Sequence, residues 1–210
     1  MILKIYMSRI MPAITSLGPG RRIGLWVQGC SLNCAGCMSK ELAVRQERDR
    51  RDIDDVLQEI LSLSPEHTGI TVTGGEPFQQ ASALTGLVKM IRQYSALDIF
   101  VYSGFTLEQI RTGPEPAQEL LGQVDVLIDG AYRKDLPTQR IWRGSANQGM
   151  HILSKRAKHY QRFTHMEYKE LRPLQISMDD NGTLHIIGIP EPGFLDQLNS
   201  RMQNRGVILS

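Results

Sequence analysis

All three cysteines of this 210-residue chain lie within one stretch of eight positions, and no other feature restricts its possible folds so strongly. They are Cys30, Cys34 and Cys37, within GCSLNCAGCMSK. An odd, clustered count argues against a disulfide framework. A structural zinc site usually takes four Cys or His ligands, and the five histidines are scattered without the paired spacing of a zinc knuckle.

Three thiolates with no fourth suit a 4Fe-4S cluster that keeps one iron open to an outside ligand. Gly29, Asn33 and Gly36 give the segment the turn-rich backbone of a loop that surrounds something. Other classes stay open at this point. They are a zinc-binding interaction module, a non-catalytic iron–sulfur electron carrier, and a loop of three unreactive buried cysteines.

Charge and hydropathy give no sign of a nucleic-acid or membrane partner. Lys and Arg number 24 against 22 Asp and Glu, a net charge of +2, so no basic footprint emerges. No apolar run approaches membrane-spanning length, and Lys4, Arg9 and Pro12 interrupt the first apolar stretch. We expect a cytoplasmic protein, where thiols stay reduced. Arg21 and Arg22 are expected to be surface charges.

Strand and helix patterns alternate through the first two-thirds of the chain. The predicted strands are 23–29, which runs directly into Cys30, then 69–77, 98–104 and 124–130. The predicted helices are 53–63 with Asp52 as N-cap, 84–91, and a short stretch from Thr106. Repeated βα units imply right-handed crossovers and a parallel sheet. Functional loops should gather where its strands end.

Three predicted strand ends carry chemistry that should face one pocket. They are the cysteine loop, the segment Thr73-Gly74-Gly75-Glu76-Pro77, and the segment Tyr102-Ser103-Gly104. Paired glycines let a backbone approach a small ligand closely, because no Cβ stands in the way. Alone, two glycines after a strand are equally typical of a tight turn. Beside the CxxxCxxC spacing they favour a ligand.

These motifs together resemble the radical S-adenosylmethionine (SAM) superfamily. TGGEP is similar to its glycine-rich segment, which contacts the methionyl amino group of SAM. Further blocks resemble the activating proteins of anaerobic, class III ribonucleotide reductases. They are GPGRRIGLWVQGCSLNCAGC, IFVYSG, VLIDG, and IWRGSANQ followed by His151, and they keep their order over roughly residues 17–153.

The resemblance implies a partial (βα) barrel with an open side for a large substrate. It implies one 4Fe-4S cluster and SAM, whose reductive cleavage gives methionine and a 5′-deoxyadenosyl radical that takes a hydrogen atom from a backbone glycine of a partner enzyme. It also implies that the enzyme acts under anaerobic conditions and receives its electron from a flavodoxin or ferredoxin. No catalytic residue beyond the cluster is predicted. The alternative within this chemistry is an enzyme that modifies a peptide, nucleoside or small molecule.

The resemblance also assigns site residues. The cluster ligands are Cys30, Cys34 and Cys37. The cofactor-binding residues are Gly36, Cys37, Met38, Thr73, Gly74, Gly75, Glu76, Ser103, Asp129, Arg143, Ser145 and Asn147. Alternatives stay open for several of these residues. Gly36 can serve as a turn, and Ser103 and Asp129 can cap the segments that follow them. Arg143, Ser145 and Asn147 can form a hydrogen-bonded turn or receive the partner's glycine loop.

Residues 154–210 are predicted to form a unit separate from the 1–153 core, and they extend past the usual end of a short activase. The basic run Lys155, Arg156, Lys158 and Arg162 is typical of a solvated face. A β-hairpin turning at Asn181-Gly182 and a helix over 194–202, ended by Gly206, predict a small ββα appendage. It has no cysteines, so it holds no second cluster. We expect it to cover a barrel edge or to dock a partner.

Overall fold

A seven-stranded sheet forms the centre of the fold, in a computed structural model that describes residues 3–178, 182–191 and 193–204. Its strands are β1 (Lys4–Ile14), β2 (Arg22–Val27), β3 (Arg50–Asp52), β4 (Gly69–Gly74), β5 (Asp98–Tyr102), β6 (Val126–Asp129) and β7 (Gly149–Ile152). Their spatial order is β3-β1-β2-β4-β5-β6-β7. β2, β4, β5 and β6 are parallel, and β1, β3 and β7 pair antiparallel with their neighbours. The predicted α/β class with a mostly parallel sheet is confirmed.

Four helices follow the strands along the chain: α1 (Ile53–Leu63), α2 (Ala81–Tyr94), α3 (Leu107–Arg111) and α4 (Glu115–Leu121). Side chains alternate across a strand, so Ile99 and Val101 of β5 join the core shared with the helices, whereas Phe100 belongs to the core on the other face. α1 buries the predicted stripe that includes Val56 and Ile60. No described helix is long and apolar enough to cross a membrane.

The strand β1 is not predicted by the sequence pattern. It pairs antiparallel with β2, but its register shifts twice along the pairing. Ala13 has a φ of 61°, which departs from strand geometry, and Arg9 and Pro12 interrupt the apolar alternation. The local sequence pattern therefore does not predict this strand. Its buried residues, such as Ile5 and Met7, are recognised only from the structure, where β2 lies beside β1.

The sheet face opposite the helices is covered by the chain that follows β6. Ile141, Trp142 and Tyr160 pack there against Phe100 and neighbouring strand residues. Tyr160 lies on a 3₁₀ helix spanning residues 155–163, whose other side is solvated. The four basic side chains of this segment, Lys155, Arg156, Lys158 and Arg162, are exposed as predicted.

Beyond the sheet, β8 (Leu174–Met178) and β9 (Leu184–Gly188) pair antiparallel and precede α5 (Phe194–Gln203). The pair lies against the end of β1 and the residues after it. Ser16 Oγ donates to the Ile187 carbonyl at 3.0 Å, and Gln175 Nε2 donates to the Ala13 carbonyl at 3.1 Å. Ile187 is buried in a cluster with Trp26. This segment therefore covers part of the sheet face opposite the helices.

Two details of the predicted appendage fall outside the described residues. They are Asn181, the first residue of the predicted turn, and Gly206, the predicted end of the helix. Gly182 is described and has a φ of 81°, a conformation that glycine adopts without strain. The division of the chain at residue 153 stays a prediction.

Arg22 is fully buried, so its interpretation as surface charge is wrong, whereas Arg21 is exposed. Arg22 Nη2 lies 2.5 Å from Asp98 Oδ1, and Arg22 Nε donates to Thr71 Oγ1 at 2.7 Å. Tyr160 donates to the other Asp98 oxygen at 2.7 Å. A buried charge is tolerated when it is paired and its remaining hydrogen-bonding groups are satisfied. Three parallel strands are joined at this point.

We expect Asp98→Ala to lower the free energy of unfolding by about 3–5 kcal/mol, because it leaves the Arg22 guanidinium buried without its counter-charge. Tyr160→Phe is the matched control: it removes one hydrogen bond to the same carboxylate and should cost less, about 1.5–3 kcal/mol. Urea unfolding of the metal-free protein measures both. Equal losses in the two variants would contradict a central role for the ion pair.

Candidate functional site

The cysteine loop begins where β2 ends and folds back on itself. Gly29 and Asn33 have φ values of 89° and 46°, so the backbone turns sharply around Cys30. Gly29 N donates to the Leu42 carbonyl at 2.8 Å, and Cys30 N donates to the Ala43 carbonyl at 2.9 Å. The loop is thereby closed at its base, at the carboxyl edge of the parallel strands, as predicted.

The three cysteines are free and only partly buried. Burial raises the pKa of the Cys30 thiol, and the charges of Glu76 and Cys37 raise it further. Backbone N–H groups of Leu32 and Asn33 oppose this and lower the pKa. The Glu76 carboxylate and Cys37 are thus both close enough to Cys30 to affect the pKa of its thiol.

The donor set of the loop is three partly buried thiols, which is the ligand chemistry of a 4Fe-4S cluster, where each thiolate binds a different iron. The Ser39 N–H donates to Cys37 Sγ at 3.4 Å, and hydrogen bonds to sulfur are one means of tuning such clusters.

The glycine pair of TGGEP packs directly on the backbone that precedes the cysteines. A Cβ on Gly74 would lie 2.5 Å from the Val27 carbonyl oxygen, and a Cβ on Gly75 would lie 2.5 Å from that of Gly29. Gly75 N donates to the Val27 carbonyl and Glu76 N to the Gly29 carbonyl, each at 2.8 Å. The absence of side chains on these glycines allows the two backbone segments to pack in direct contact. The predicted contact of the glycines with a ligand is a different role and stays a prediction.

The Glu76 carboxylate is 1% exposed and joins the ends of β4 and β5. It accepts hydrogen bonds from Phe78 N at 3.0 Å, from Ser103 Oγ at 2.9 Å and from Gly104 N at 2.7 Å. Burial raises the pKa of Glu76 to about 7, although these three donors each lower it. The carboxylate thus fixes the relative position of two of the three predicted strand ends.

Ser103 and Asp129 also have protein partners at the strand ends. Ser103 Oγ accepts from Phe105 N at 3.0 Å while it donates to Glu76. Asp129 accepts from Leu107 N, the first residue of α3, at 2.6 Å and from Gly149 N at 3.0 Å. These hydrogen bonds are the ones expected if Ser103 and Asp129 cap the segments that follow them. A contact of either side chain with SAM stays a prediction.

The IWRGSANQ segment, residues 141–148, is largely held by bonds within the chain. Arg143 and Ser145 are buried, and Ser145 Oγ accepts from Arg133 N at 3.1 Å. Asn147 is exposed and donates to the Ala131 carbonyl at 2.9 Å. The structural alternative for this loop therefore has direct support. Its predicted part in cofactor binding stays a prediction.

Arg143 and Tyr102 carry buried polar atoms that have no partner among the described residues. They are Nε and Nη1 of Arg143 and the hydroxyl of Tyr102. Burial lowers the pKa of Arg143 and raises that of Tyr102 well above its usual range, and each group affects the other. Tyr102 was not among the predicted site residues, although it directly precedes Ser103.

Tyr132 joins the cysteine loop to the 141–148 loop, and no sequence motif marks it. A Cβ built on Gly36 would lie 3.4 Å from Tyr132 Cε1, and one on Gly144 would lie 3.0 Å from Tyr132 Cδ2. The structure thus brings the predicted cysteine, TGGEP and Ser103 segments together directly, and the 141–148 loop through this ring. Met38 is 42% exposed at the surface of the cysteine loop.

Residues 16–151 match the family described as a 4Fe-4S single cluster domain. The anaerobic ribonucleoside-triphosphate reductase-activating protein of Enterobacteria phage T4 is 35% identical over 144 residues, which are 67% of this chain and 89% of that protein. The protein of that name from Escherichia coli (strain K12) is 32% identical, over 65% of this chain and 91% of its own. The chain belongs to this family of activating proteins.

Family membership confirms the radical SAM resemblance, the 4Fe-4S cluster and SAM as cofactors, and an enzymatic rather than a zinc-binding or electron-carrying role. QueE from Escherichia coli shows a weaker structural similarity, with a TM-score of 0.43 and 17% identity over 49% of this chain and 53% of its own. The family match ends at residue 151, so residues 152–210 of this activase-family chain lie outside it.

We expect Gly75→Ala to weaken cluster retention about tenfold, a size typical of changes next to metal ligands. The reason is steric: the added Cβ meets the Gly29 carbonyl oxygen and displaces the backbone that carries Cys30. Iron release to a chelator after anaerobic reconstitution measures the effect. Gly122→Ala, at the end of α4, is the control. If both variants keep iron equally well, the close packing does not support the cluster loop.

Proposed function

We propose that this chain activates an anaerobic ribonucleoside-triphosphate reductase by generating a glycyl radical on it. The reaction would consume one SAM and one electron, release methionine and 5′-deoxyadenosine, and remove one hydrogen atom from a backbone glycine Cα of the partner. The observation that carries the proposal is the three-thiol loop in backbone contact with TGGEP, within a chain 35% identical to a protein of that name.

Cys30, Cys34 and Cys37 would hold the cluster, which supplies the electron for the cleavage of SAM when it is bound. The TGGEP backbone and Ser103 would position the methionyl end of SAM, and Gly36 and Met38 the adenine. The buried Tyr102 hydroxyl, which has no partner among the described residues, offers a donor for its carboxylate. Such residues act by orientation and by keeping water from a reactive radical. The exposed rim near Asn147 is where a partner's glycine segment would approach.

The proposed architecture is a partial barrel formed by the parallel strands, with the helices outside and the cofactors inside its carboxyl edge. Support comes from the two faces of the sheet: helices cover one, and residues 141–163 together with β8 and β9 cover part of the other. We also propose a flavodoxin or ferredoxin as reductant. A reducing cytoplasm suits the three free thiols.

Anaerobic reconstitution should give about four irons and four sulfides per chain, as a cubane cluster requires. Reduction with dithionite should then yield 5′-deoxyadenosine from SAM, and addition of the partner enzyme should give a glycyl radical detectable by electron paramagnetic resonance. Replacing Cys30, Cys34 or Cys37 by Ala should abolish both products. Ser31→Ala, in the same loop, should leave them intact.

Two results would count against the proposal in different ways. Full cleavage of SAM by all three cysteine variants would overturn the cluster assignment. Cleavage of SAM by the wild type without a glycyl radical on the reductase would overturn the partner, and would favour an enzyme that modifies a peptide, nucleoside or small molecule.

A further inference from the structure

We propose that Arg172 is a positioning residue that fixes the 141–148 loop, and that this loop forms the surface on which the partner enzyme docks. The inference deepens the proposed function and rests on it. Arg172 lies beyond residues 16–151, the part of the chain that matches the family. The role is therefore assigned from the contacts of this chain alone.

The guanidinium of Arg172 is buried beneath the loop, with 6% of the residue exposed. Nη1 donates to the Arg143 carbonyl at 3.3 Å, and Nη2 donates to the Thr138 carbonyl. Nε lies 3.3 Å from Glu191 Oε1, and Glu191 also accepts from Gln139 Nε2 at 3.3 Å. One planar fork thus joins the loop, the segment before it and the chain after β9.

The segment just before Arg172 pairs with the start of the loop. Ile141 N donates to the Met166 carbonyl at 3.0 Å, and Tyr168 N donates to the Gln139 carbonyl at 2.8 Å. The Tyr168 hydroxyl accepts from Trp142 N at 3.2 Å. Residues 164–172 therefore act as a short brace along residues 138–143.

Trp142 shows that the loop needs this brace. Its φ is 58°, a left-handed conformation that a bulky side chain rarely adopts. Such strain persists only where the surroundings hold it in place. The indole ring packs edge-on against Phe163, with ring centroids 5.0 Å apart, and against Phe100 at 5.9 Å. Without Arg172 and Tyr168, the backbone at Trp142 should relax.

The part of the loop that faces solvent lies close to the cysteine loop. The Tyr132 ring lies between the two loops: a Cβ on Gly144 would be 3.0 Å from it, and a Cβ on Gly36 would be 3.4 Å from it. Ala146 and Asn147 are exposed at this place. A large partner that brings a glycine to the cluster must pass this rim, whereas a small molecule need not touch it. Movement of the loop should therefore affect the partner more than SAM.

The test compares Arg172→Gln with wild type in the full chain, with Trp26→Phe in both proteins so that Trp142 is the only tryptophan. Without cofactors, Arg172→Gln should shift Trp142 emission to longer wavelength. With the cluster loaded, the KM for the reductase in glycyl-radical formation should rise about tenfold, as expected for the loss of a buried charged hydrogen bond. Cleavage of SAM without the reductase should stay within about twofold of wild type, since the smaller cofactor site is not displaced.

Two further variants sharpen the test. Arg172→Lys keeps the charge but not the fork, so it should recover only part of the wild-type KM. Arg201→Gln removes an exposed arginine from α5 and should change nothing. If Arg172→Gln does not fold, Glu191→Gln keeps both carbonyl bonds of Arg172 and should give a smaller change of the same kind.

Unchanged emission and unchanged KM in Arg172→Gln would overturn the positioning role, and a shift in emission without a rise in KM would overturn the docking role. Equal losses of SAM cleavage and radical transfer would make Arg172 a residue of general stability and also overturn the inference. Failure of the proposed function looks different: the wild type itself would leave no radical on the reductase.

Discussion

Arg22 reaches from the start of β2 across Gly69, the first residue of β4, to Asp98, the first residue of β5. Only a glycine fits beneath the guanidinium, because a Cβ on Gly69 would lie 2.6 Å from both Arg22 Nη2 and Asp98 Oδ1. The three strands are thus locked in register at the edge of the sheet opposite the site. Five residues later the same register places Val27 beside Gly74, where the cysteine loop and TGGEP meet.

The βα repeat was predictable because its signals are local. Apolar alternation in β4 and β5, and the apolar stripes of α1 and α2, each lie within a few residues of one another. β1 was not predictable in the same way, because its register shifts and interrupting residues leave no clean period. The buried state of Arg22 was also hidden. Its partner Asp98 lies 76 residues away, and an arginine looks the same in sequence whether it is paired or solvated.

In the candidate site, too, some features were predictable from the sequence and others were not. Strand ends predicted which residues would be neighbours, since the carboxyl ends of parallel strands share one edge. They did not predict what each side chain would do there. Glu76 and Asp129 use their oxygens mainly on backbone N–H groups of the chain itself. Tyr132 lies in no motif, and Tyr102 was predicted only as the first residue of a strand-end segment. The surroundings of both rings follow from the segments that folding places around them.

The contact between Gly75 and Gly29 has a consequence for motion. Two backbones that touch without intervening side chains, and that are joined by hydrogen bonds, have no rotamers between them to rearrange. Fluctuations elsewhere in the sheet would therefore carry both segments together as one rigid body. The distance between a cluster on one segment and a ligand on the other would therefore change little when the surrounding chain moves. The transfer of a single electron across a short gap requires such a constant distance.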